Sequence, residues 1–266
     1  MVTLSWLLIF AADSAEALRC LRGDPRACVD YAHQELSGPS VDVTNAATLL
    51  GQACWAGDAG ACQEFGVMAR EGFGTDKDLL AAALAFGLRC SAGDGEGCTA
   101  LGRLREATKR YAAALDTYRS ACERGTQSSC VQVGRILFFY ANTRAAHREG
   151  WALLTHACAT GEAEACVLAG DGDAQQPRVW FAKACALGSG DGCVRLADRL
   201  TSVSQRRRAW RRGCNLGSGE ACMYAAIQAH DDHHDQEARR FLAASCENGE
   251  AYACRLLTRR LVVARG

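Results

Sequence analysis

Apolar residues recur at every third or fourth position in two kinds of segment along this chain. One kind ends at a cysteine, as in residues 79–90 and 111–122, and the other begins at a cysteine, as in residues 98–104 and 130–139. This spacing is typical of amphipathic α-helices, and stretches with glycine and acidic residues separate the segments. The pattern therefore predicts an all-α chain built from pairs of helices.

The cysteines follow the same pattern, in eight pairs with seven residues between the two members. The first cysteines of successive pairs lie 34, 36, 32, 36, 27, 29 and 32 residues apart. This period is the size of a two-helix repeat, so we predict an α/α solenoid of about seven to eight units. The pairs are Cys20/Cys28, Cys54/Cys62, Cys90/Cys98, Cys122/Cys130, Cys158/Cys166, Cys185/Cys193, Cys214/Cys222 and Cys246/Cys254.

Two more positions recur with every pair. A glycine follows each first cysteine by three residues, as at Gly57 and Gly93, and a small residue precedes each second cysteine, as at Ala61 and Gly97. Glycine ends a helix readily because it adopts the left-handed conformation without steric cost, and acidic residues suit the start of the next helix. Each cysteine pair is therefore predicted to bracket a tight helix–turn–helix.

A local disulfide in every unit is the interpretation that we favour for this spacing. The count of sixteen is high and even, and antiparallel helices near their turn offer the Cα separation of about 4.4–6.8 Å that a bridge needs. The first alternative is buried free cysteines that act as small apolar residues. The second is zinc binding, although zinc ligands usually stand about two to four residues apart within a pair.

Composition narrows the functional classes. Apolar residues make up 49% of the 266 residues, which excludes a disordered chain, and 30 basic residues balance 30 acidic ones. A neutral chain is not built to coat nucleic acid. Residues 1–133 hold 12 basic and 16 acidic residues, and residues 134–266 hold 18 and 14. We expect no nucleic acid partner, no cofactor and no metal.

Short runs around the cysteines resemble the Sel1-like repeat family, which is related to tetratricopeptide repeats. The runs are ACERG at 121–125 with SCVQVG at 129–134, and ACWAG at 53–57 with ACQEFG at 61–66. The paired cysteines resemble more narrowly the disulfide-rich branch of Helicobacter cysteine-rich proteins. The resemblance covers about residues 12–263 and implies a right-handed solenoid whose concave groove holds a protein or peptide partner.

The same branch is described as penicillin-binding with weak β-lactamase activity, which is the alternative function that the resemblance implies. The chain contains no Ser-x-x-Lys, Lys-Thr-Gly or Ser-Asp-Asn, so a serine β-lactamase mechanism has no recognisable nucleophile and base. We therefore expect a scaffold without catalytic residues rather than a hydrolase. A nitrocefin assay distinguishes the two.

By resemblance, the helices that begin at the second cysteines line the inner face of the solenoid. Exposed positions on these helices are predicted at Gln63, Glu64, Thr99, Gln132, Arg195 and Tyr224. We predict that Arg195 and Arg199 bind the partner, whereas Arg206 and Arg207 belong to an outer helix. Charge reversal of the first pair should therefore weaken partner capture more than reversal of the second.

Three other groups of residues attract attention. The run from His230 to Asp235 is interpreted as a solvated polar loop, with a metal site as the alternative. Trp55, Trp151, Trp180 and Trp210 are interpreted as core wedges. A basic cluster is interpreted as a solvated helix face, with docking of an acidic partner, peptidoglycan fragments or lipid phosphates as the alternative. Its members are Arg206, Arg207, Arg208, Arg211 and Arg212, with Arg239, Arg240, Arg255, Arg259 and Arg260 further on.

The N-terminal residues 1–11 are apolar and resemble part of a secretory signal, although they lack a basic start. The alternative is a helix that caps the solenoid. We therefore expect two segments: residues 1–11 as a signal peptide or capping segment, and residues 12–266 as the repeat solenoid. With the cysteines, this predicts a secreted or periplasmic protein without a membrane span.

Overall fold

A computed structural model describes residues 15–38 and 40–263, with side chains as far as Leu257. Over these ranges the chain forms sixteen α-helices and no strand. The predicted segment 1–11 lies outside them. The helices are α1 (Ala15–Leu21), α2 (Pro25–Ser37), α3 (Val43–Trp55), α4 (Ala59–Glu71), α5 (Leu79–Ser91), α6 (Gly95–Ala107), α7 (Tyr111–Glu123), α8 (Gln127–Tyr140), α9 (Arg144–Ala159), α10 (Ala163–Gly172), α11 (Pro177–Ala186), α12 (Gly190–Asp198), α13 (Val203–Asn215), α14 (Gly219–Asp231), α15 (Asp235–Glu247) and α16 (Ala251–Val263).

The helices alternate between two kinds, as the cysteine pattern predicts. Odd-numbered helices end just after a first cysteine and are called A helices here; even-numbered helices start just before a second cysteine and are called B helices. The predicted class, a right-handed α/α solenoid of two-helix repeats with local staples, is confirmed. The chain divides into two compact units between Ser129 and Cys130. None of the described helices is both long and apolar enough to cross a membrane.

The turn between α3 and α4 shows why each repeat folds as it does. Gly57 has φ of 98°, and its N–H donates to the Cys54 carbonyl at 2.9 Å. The Asp58 N–H then reaches back to the Ala53 carbonyl at 3.0 Å, and the Asp58 carboxylate caps α4 by accepting from the Ala61 N–H at 2.8 Å. These bonds satisfy backbone groups that a helix end leaves unpaired.

Disulfides close these turns. The bridged cysteines that follow have Cα atoms 4.4–4.8 Å apart, as a bridge requires. They are Cys20–Cys28, Cys54–Cys62, Cys90–Cys98, Cys158–Cys166, Cys185–Cys193, Cys214–Cys222 and Cys246–Cys254. Cys122 and Cys130 are also disulfide-bonded, and no cysteine in the described ranges is free. The bridges indicate an oxidising compartment.

Neighbouring repeats pack through a large residue on each A helix from α3 to α15, four positions before the first cysteine. Phe86 of α5 is fully buried against Gly66 of α4, and Phe181 of α11 is packed in the same way against Gly170 of α10. A side chain on either glycine would collide with the ring, so the small residue allows the two repeats to approach closely. These contacts form the core between repeats.

Candidate partner-binding surface

Three positions on each B helix share one face: two residues before, two after and five after the second cysteine. Their spacing of four and three places them on one helix stripe, called the B stripe here. All members with described side chains are at least partly exposed except Gln132. In unit 1 they are Arg26, Asp30, His33, Gly60, Glu64, Val67, Glu96, Ala100, Arg103 and Ser128. In unit 2 they are Gln132, Arg135, Glu164, Leu168, Asp171, Asp191, Arg195, Asp198, Glu220, Tyr224, Ile227, Tyr252 and Leu256.

In unit 1, B-stripe side chains from different repeats contact one another. His33 of α2 and Glu64 of α4 are hydrogen-bonded, with 2.8 Å between Nε2 and Oε2. The Ser128 hydroxyl donates to Glu96 Oε1 of α6 at 2.7 Å. In unit 1 the stripes of α2 and α4 therefore meet in a polar contact surface, and so do those of α6 and α8.

In unit 2 the predicted residue Arg195 lies at the centre of such a surface. Its guanidinium donates to Asp171 Oδ1 of α10 at 2.6 Å and to Asp191 Oδ1 of α12 at 3.4 Å, and its side chain remains 42% exposed. Arg199 is exposed at the C-terminal end of α12. Burial raises the pKa of Asp171 above its ordinary value, Asp191 adds to the rise, and both arginines oppose it. The structure thus brings Arg195 and Arg199 to one patch.

The B helices of unit 2 are nevertheless acidic. Helices α10, α12 and α14 contact one another in succession and carry six exposed carboxylates and one arginine. Burial raises the pKa of the Tyr224 hydroxyl, and the carboxylates of Glu220 and Asp198 raise it further, because a phenolate would be repelled there. The carboxylates are Glu164, Asp171, Asp191, Asp198, Glu220 and Asp231.

The basic residues of unit 2 lie mainly on its A helices. Helices α11, α13 and α15 carry nine basic and three acidic residues. Arg206 and Arg207 lie on α13, an A helix, as predicted; Arg207 pairs with Asp232, and Arg211 with Glu237 at 2.7 Å. The basic excess of residues 134–266 therefore does not describe the B face of α10–α14, which has the opposite charge.

Two predicted exposed positions are buried, and that part of the prediction is wrong. Thr99 is 2% exposed, because its hydroxyl is packed between repeats and contacts Ser129 Oγ at 2.7 Å. Gln132 is 4% exposed, and its amide donates to Glu164 Oε1 at 3.1 Å while its oxygen accepts from Arg135 at 2.9 Å. Both join neighbouring repeats rather than face a partner. Thr99 and Gln132 occupy the same repeat positions as the partly exposed Gln63 and Glu64, so amphipathic spacing alone does not predict their burial.

The tryptophans are not uniformly core residues. Trp55 is 50% exposed and meets Phe65 edge to face, so its interpretation as a core wedge is wrong. Trp151, Trp180 and Trp210 are partly buried. Trp151 contacts the rings of Phe138 and Trp180, and Trp210 stacks on Tyr224.

The His230–Asp235 run is less loop-like than predicted. His230 is in the last turn of α14 and Asp235 in the first turn of α15, so the turn itself is residues 232–234. His233 adopts φ of 63° there, and His230 Nδ1 lies 3.0 Å from Asp235 Oδ1. Across the described residues no group of three or more His, Cys, Asp or Glu side chains is arranged to hold a metal ion.

A row of exposed leucines on α5, called the leucine ridge here, was not predicted from the sequence. Leu80, Leu84 and Leu88 are 70%, 53% and 43% exposed and border a groove of about 790 Å³. The spacing of four was visible in the sequence. It predicts one helix face, and it does not tell whether that face is buried.

Solved structures of repeat proteins superpose on most of this chain. A Sel1 repeat protein from Oxalobacter formigenes superposes with a TM-score of 0.61 and 14% identity, over 90% of this chain and 77% of the other. The chain has the fold of Sel1 repeat proteins. A protective antigen of uropathogenic Escherichia coli with an SLR fold superposes with a TM-score of 0.57 and 20% identity, over 90% of this chain. Yeast Tom70 superposes with a TM-score of 0.65 and 13% identity, over 94% of this chain.

The chain spans 57% of the length of both the E. coli antigen and Tom70. No protein-family model and no curated protein matches the sequence. The resemblance to Sel1-like repeats is thus confirmed as a likeness of fold, while the narrower resemblance to Helicobacter cysteine-rich proteins stays a prediction.

Proposed function

We propose that this chain is a disulfide-stapled scaffold of an oxidising compartment, secreted or periplasmic, that binds an extended protein or peptide partner through its B stripes. The observation that carries the proposal is a constant frame with a variable surface. The turn glycines, cysteines and small buried residues recur in every repeat, whereas one B-stripe position is occupied in turn by Glu64, Arg195 and Tyr224. A frame of this kind suits recognition of a partner along several repeats.

The roles proposed for Arg195 and Arg199 follow from their surroundings. Asp171 and Asp191 hold the Arg195 guanidinium across the surface, so that its remaining donors can meet backbone carbonyls of a partner at little entropic cost. The carboxylates around it suit Lys or Arg side chains of the same partner. We therefore expect the segment that crosses α10–α14 to be basic.

Localisation follows from the same proposal. The bridges that close the repeats persist in an oxidising environment, and the apolar residues 1–11 would serve as the secretory signal. The β-lactam-binding alternative stays a prediction from the resemblance.

The proposal is tested by affinity capture from the native envelope or medium, with bound proteins identified by mass spectrometry. Three oxidised proteins are compared: the wild type, Arg195→Glu/Arg199→Glu on the B face, and Arg239→Glu/Arg240→Glu as the matched control on α15. Arg239 and Arg240 are both exposed, which makes them a cleaner control than Arg207 in its pair with Asp232.

We expect the B-face variant to lose most of the captured partner, because glutamate cannot donate to backbone carbonyls and is repelled by Asp171 and Asp191, whereas the α15 variant should retain the partner. Circular dichroism of each variant verifies its fold, and Arg195→Gln/Arg199→Gln repeats the test without added negative charge. Equal loss from both arginine pairs, or greater loss from the α15 pair, would place the binding surface on the A helices and refute the proposal.

A further inference from the structure

The leucine ridge of α5 is an apolar surface that the repeat does not require. Leu80, Leu84 and Leu88 follow one another at intervals of four, and the small residues Ala83 and Gly87 lie between them. The three leucines stand ten, six and two positions before Cys90. In no other A helix from α3 to α15 is any of these three positions a leucine.

The residues at the same positions in the other A helices from α3 to α15 are mostly polar. They are Thr44, Thr48 and Gln52 before Cys54; Ala112, Asp116 and Ser120 before Cys122; Arg148, Ala152 and His156 before Cys158; Gln175, Val179 and Lys183 before Cys185; Ser204, Arg208 and Arg212 before Cys214; and Gln236, Arg240 and Ala244 before Cys246. Packing between repeats therefore does not select leucine at these positions. An apolar ridge that stays exposed, and that the fold does not need, points to an interaction surface.

The ridge borders a groove with two different ends. Leu101 and Leu104 of α6 line its base and are 7% and 4% exposed. At the Leu88 end the half-exposed Trp55 forms a wall. A second groove of about 310 Å³ shares Trp55 and Leu88 and lengthens the apolar surface toward the Cys54–Cys62 bridge.

The end of the groove opposite Trp55 is basic. Because the Cys90–Cys98 bridge joins the end of α5 to the start of α6, the two helices run antiparallel, and the C-terminal part of α6 lies beside the start of α5. Arg105 and Arg110 line the groove there, and no carboxylate from the described part of the chain lines it. Arg105 is held by the Ala113 carbonyl at 3.2 Å, whereas Arg110 is exposed.

Asp78, the carboxylate at the start of α5, is engaged at the end of its own helix. It is the N-cap of α5 and accepts from the N–H groups of Leu80 and Ala81 at 2.9 Å each. Its charge is thus directed at the helix start rather than at the arginines.

We propose that the α5 groove binds an amphipathic helix of a partner protein. The apolar side chains of that helix pack on Leu84 and the neighbouring leucines, and its carboxylates face Arg110. A helix fits because side chains spaced three and four apart can enter the gaps at Ala83 and Gly87 between the leucines. The charge of the groove selects acidic residues at one end of that helix. This site is centred on an A helix, and none of the B-stripe residues lines it.

The test uses two short synthetic amphipathic peptides with the same leucine ridge, one with glutamates and one with lysines at the polar positions of one end. Fluorescence anisotropy measures binding to the oxidised protein. We expect the glutamate peptide to bind better, and Leu80→Gln/Leu84→Gln to weaken it by roughly tenfold or more. Leu187→Gln/Leu216→Gln, at two leucines that are 40% and 42% exposed elsewhere, should leave it unchanged.

Arg110→Glu should reverse the preference and favour the lysine peptide. Because the leucines replaced are already exposed, all variants are expected to fold, and their circular dichroism and melting curves verify this. Equal binding of both peptides, or none by the wild type, overturns the proposal. So does a wild-type dimer that Leu84→Glu dissociates in light scattering, since a second copy would then fill the groove. Peptide binding that appears only after deletion of residues 1–14 assigns the groove to the chain's own N-terminal segment and overturns it as well.

Discussion

Gly66 of α4 lies so close to Phe86 of α5 that a β-carbon on Gly66 would be 2.6 Å from Cε1 of the ring. Phe86 is fully buried and cannot move aside without displacing α5. A single missing side chain thus sets how closely these two repeats approach. Gly170 and Phe181 repeat the relationship in unit 2.

Gly66→Ala is therefore expected to destabilise the protein by about 1–3 kcal/mol, although alanine favours helix more than glycine does. Phe86→Leu should restore part of the loss in the double variant. The control is Gly87→Ala in α5, where an added β-carbon meets no atom within 4 Å, and a small gain in stability is expected. Chemical denaturation of the oxidised wild type and the three variants measures these differences. Equal effects of the two alanine substitutions would contradict the steric explanation.

Substitution of the turn glycines should destabilise the protein for a different reason. An added β-carbon at Gly57 meets nothing within 4 Å, so only its φ of 98° opposes a side chain. Gly57→Ala is expected to cost about 1 kcal/mol, and Gly57→Asn less, because asparagine tolerates the left-handed conformation better. Thermal melts decide this. An asparagine variant less stable than the alanine variant would argue against a purely conformational cost.

The disulfides should contribute strongly because each repeat packs only on its neighbours. Replacement of Cys54 and Cys62 by alanine is expected to cost up to about 2.5 kcal/mol by the chain-entropy estimate for so short a loop. Full reduction should lower the melting temperature much more. Peptide mapping without reductant is expected to find each cysteine linked to the one eight positions away. Identical melts with and without reductant would show that the bridges are not structural.

How far the sequence predicts this structure depends on the kind of feature. The helix pairs and their turns were predictable, because the backbone hydrogen bonds of the turn at Gly57 and Asp58 depend on local residue types alone. The burial of Thr99 and the exposure of Leu84 were not predictable. Both depend on what the neighbouring repeat places opposite them, and an amphipathic pattern gives the face of a helix without its surroundings.

The candidate site was predictable only in part. The position of Arg195 on a B helix was predicted, but its pairing with Asp171 depends on the offset between α10 and α12, which the sequence does not give. The acidic residues around Arg195 were not predicted, because a charge count over residues 134–266 adds the basic A helices to the acidic B helices. Charge has to be assigned to a face before it predicts a partner.

Acid should weaken the N-cap of α6. Burial raises the pKa of Asp94, but hydrogen bonds from the Gly97 N–H and from Arg89 outweigh it and hold the pKa below its ordinary value of 3.8. The folded state therefore binds fewer protons than the unfolded state in this range, so stability is complete above the ordinary pKa and is lost as pH falls through the lowered one. In melts between pH 2 and 6, Asp94→Asn should show a shallower acid limb than wild type. Parallel curves would contradict this linkage.

The hydroxyl of Thr99 offers a direct test of the polar contacts between repeats. It donates to, or accepts from, Ser129 Oγ at 2.7 Å and Ser128 Oγ at 3.1 Å, and it reaches the Gly95 carbonyl at 3.0 Å. Thr99→Val keeps the shape and removes these bonds, while Ser129 stays fully buried.

The expected loss for Thr99→Val is about 1–2 kcal/mol, because a buried polar group left without its partner keeps its full desolvation cost. Thr48→Val is the matched control, since Thr48 is an exposed helical threonine whose hydroxyl, among the described residues, bonds only to the Thr44 carbonyl, at 3.0 Å. Its effect should stay within about 0.5 kcal/mol. Urea denaturation of both variants gives the comparison. If Thr99→Val were as stable as wild type, its buried hydroxyl contacts would add nothing to the packing of neighbouring repeats, and apolar contacts such as that of Phe86 with Gly66 would account for it alone.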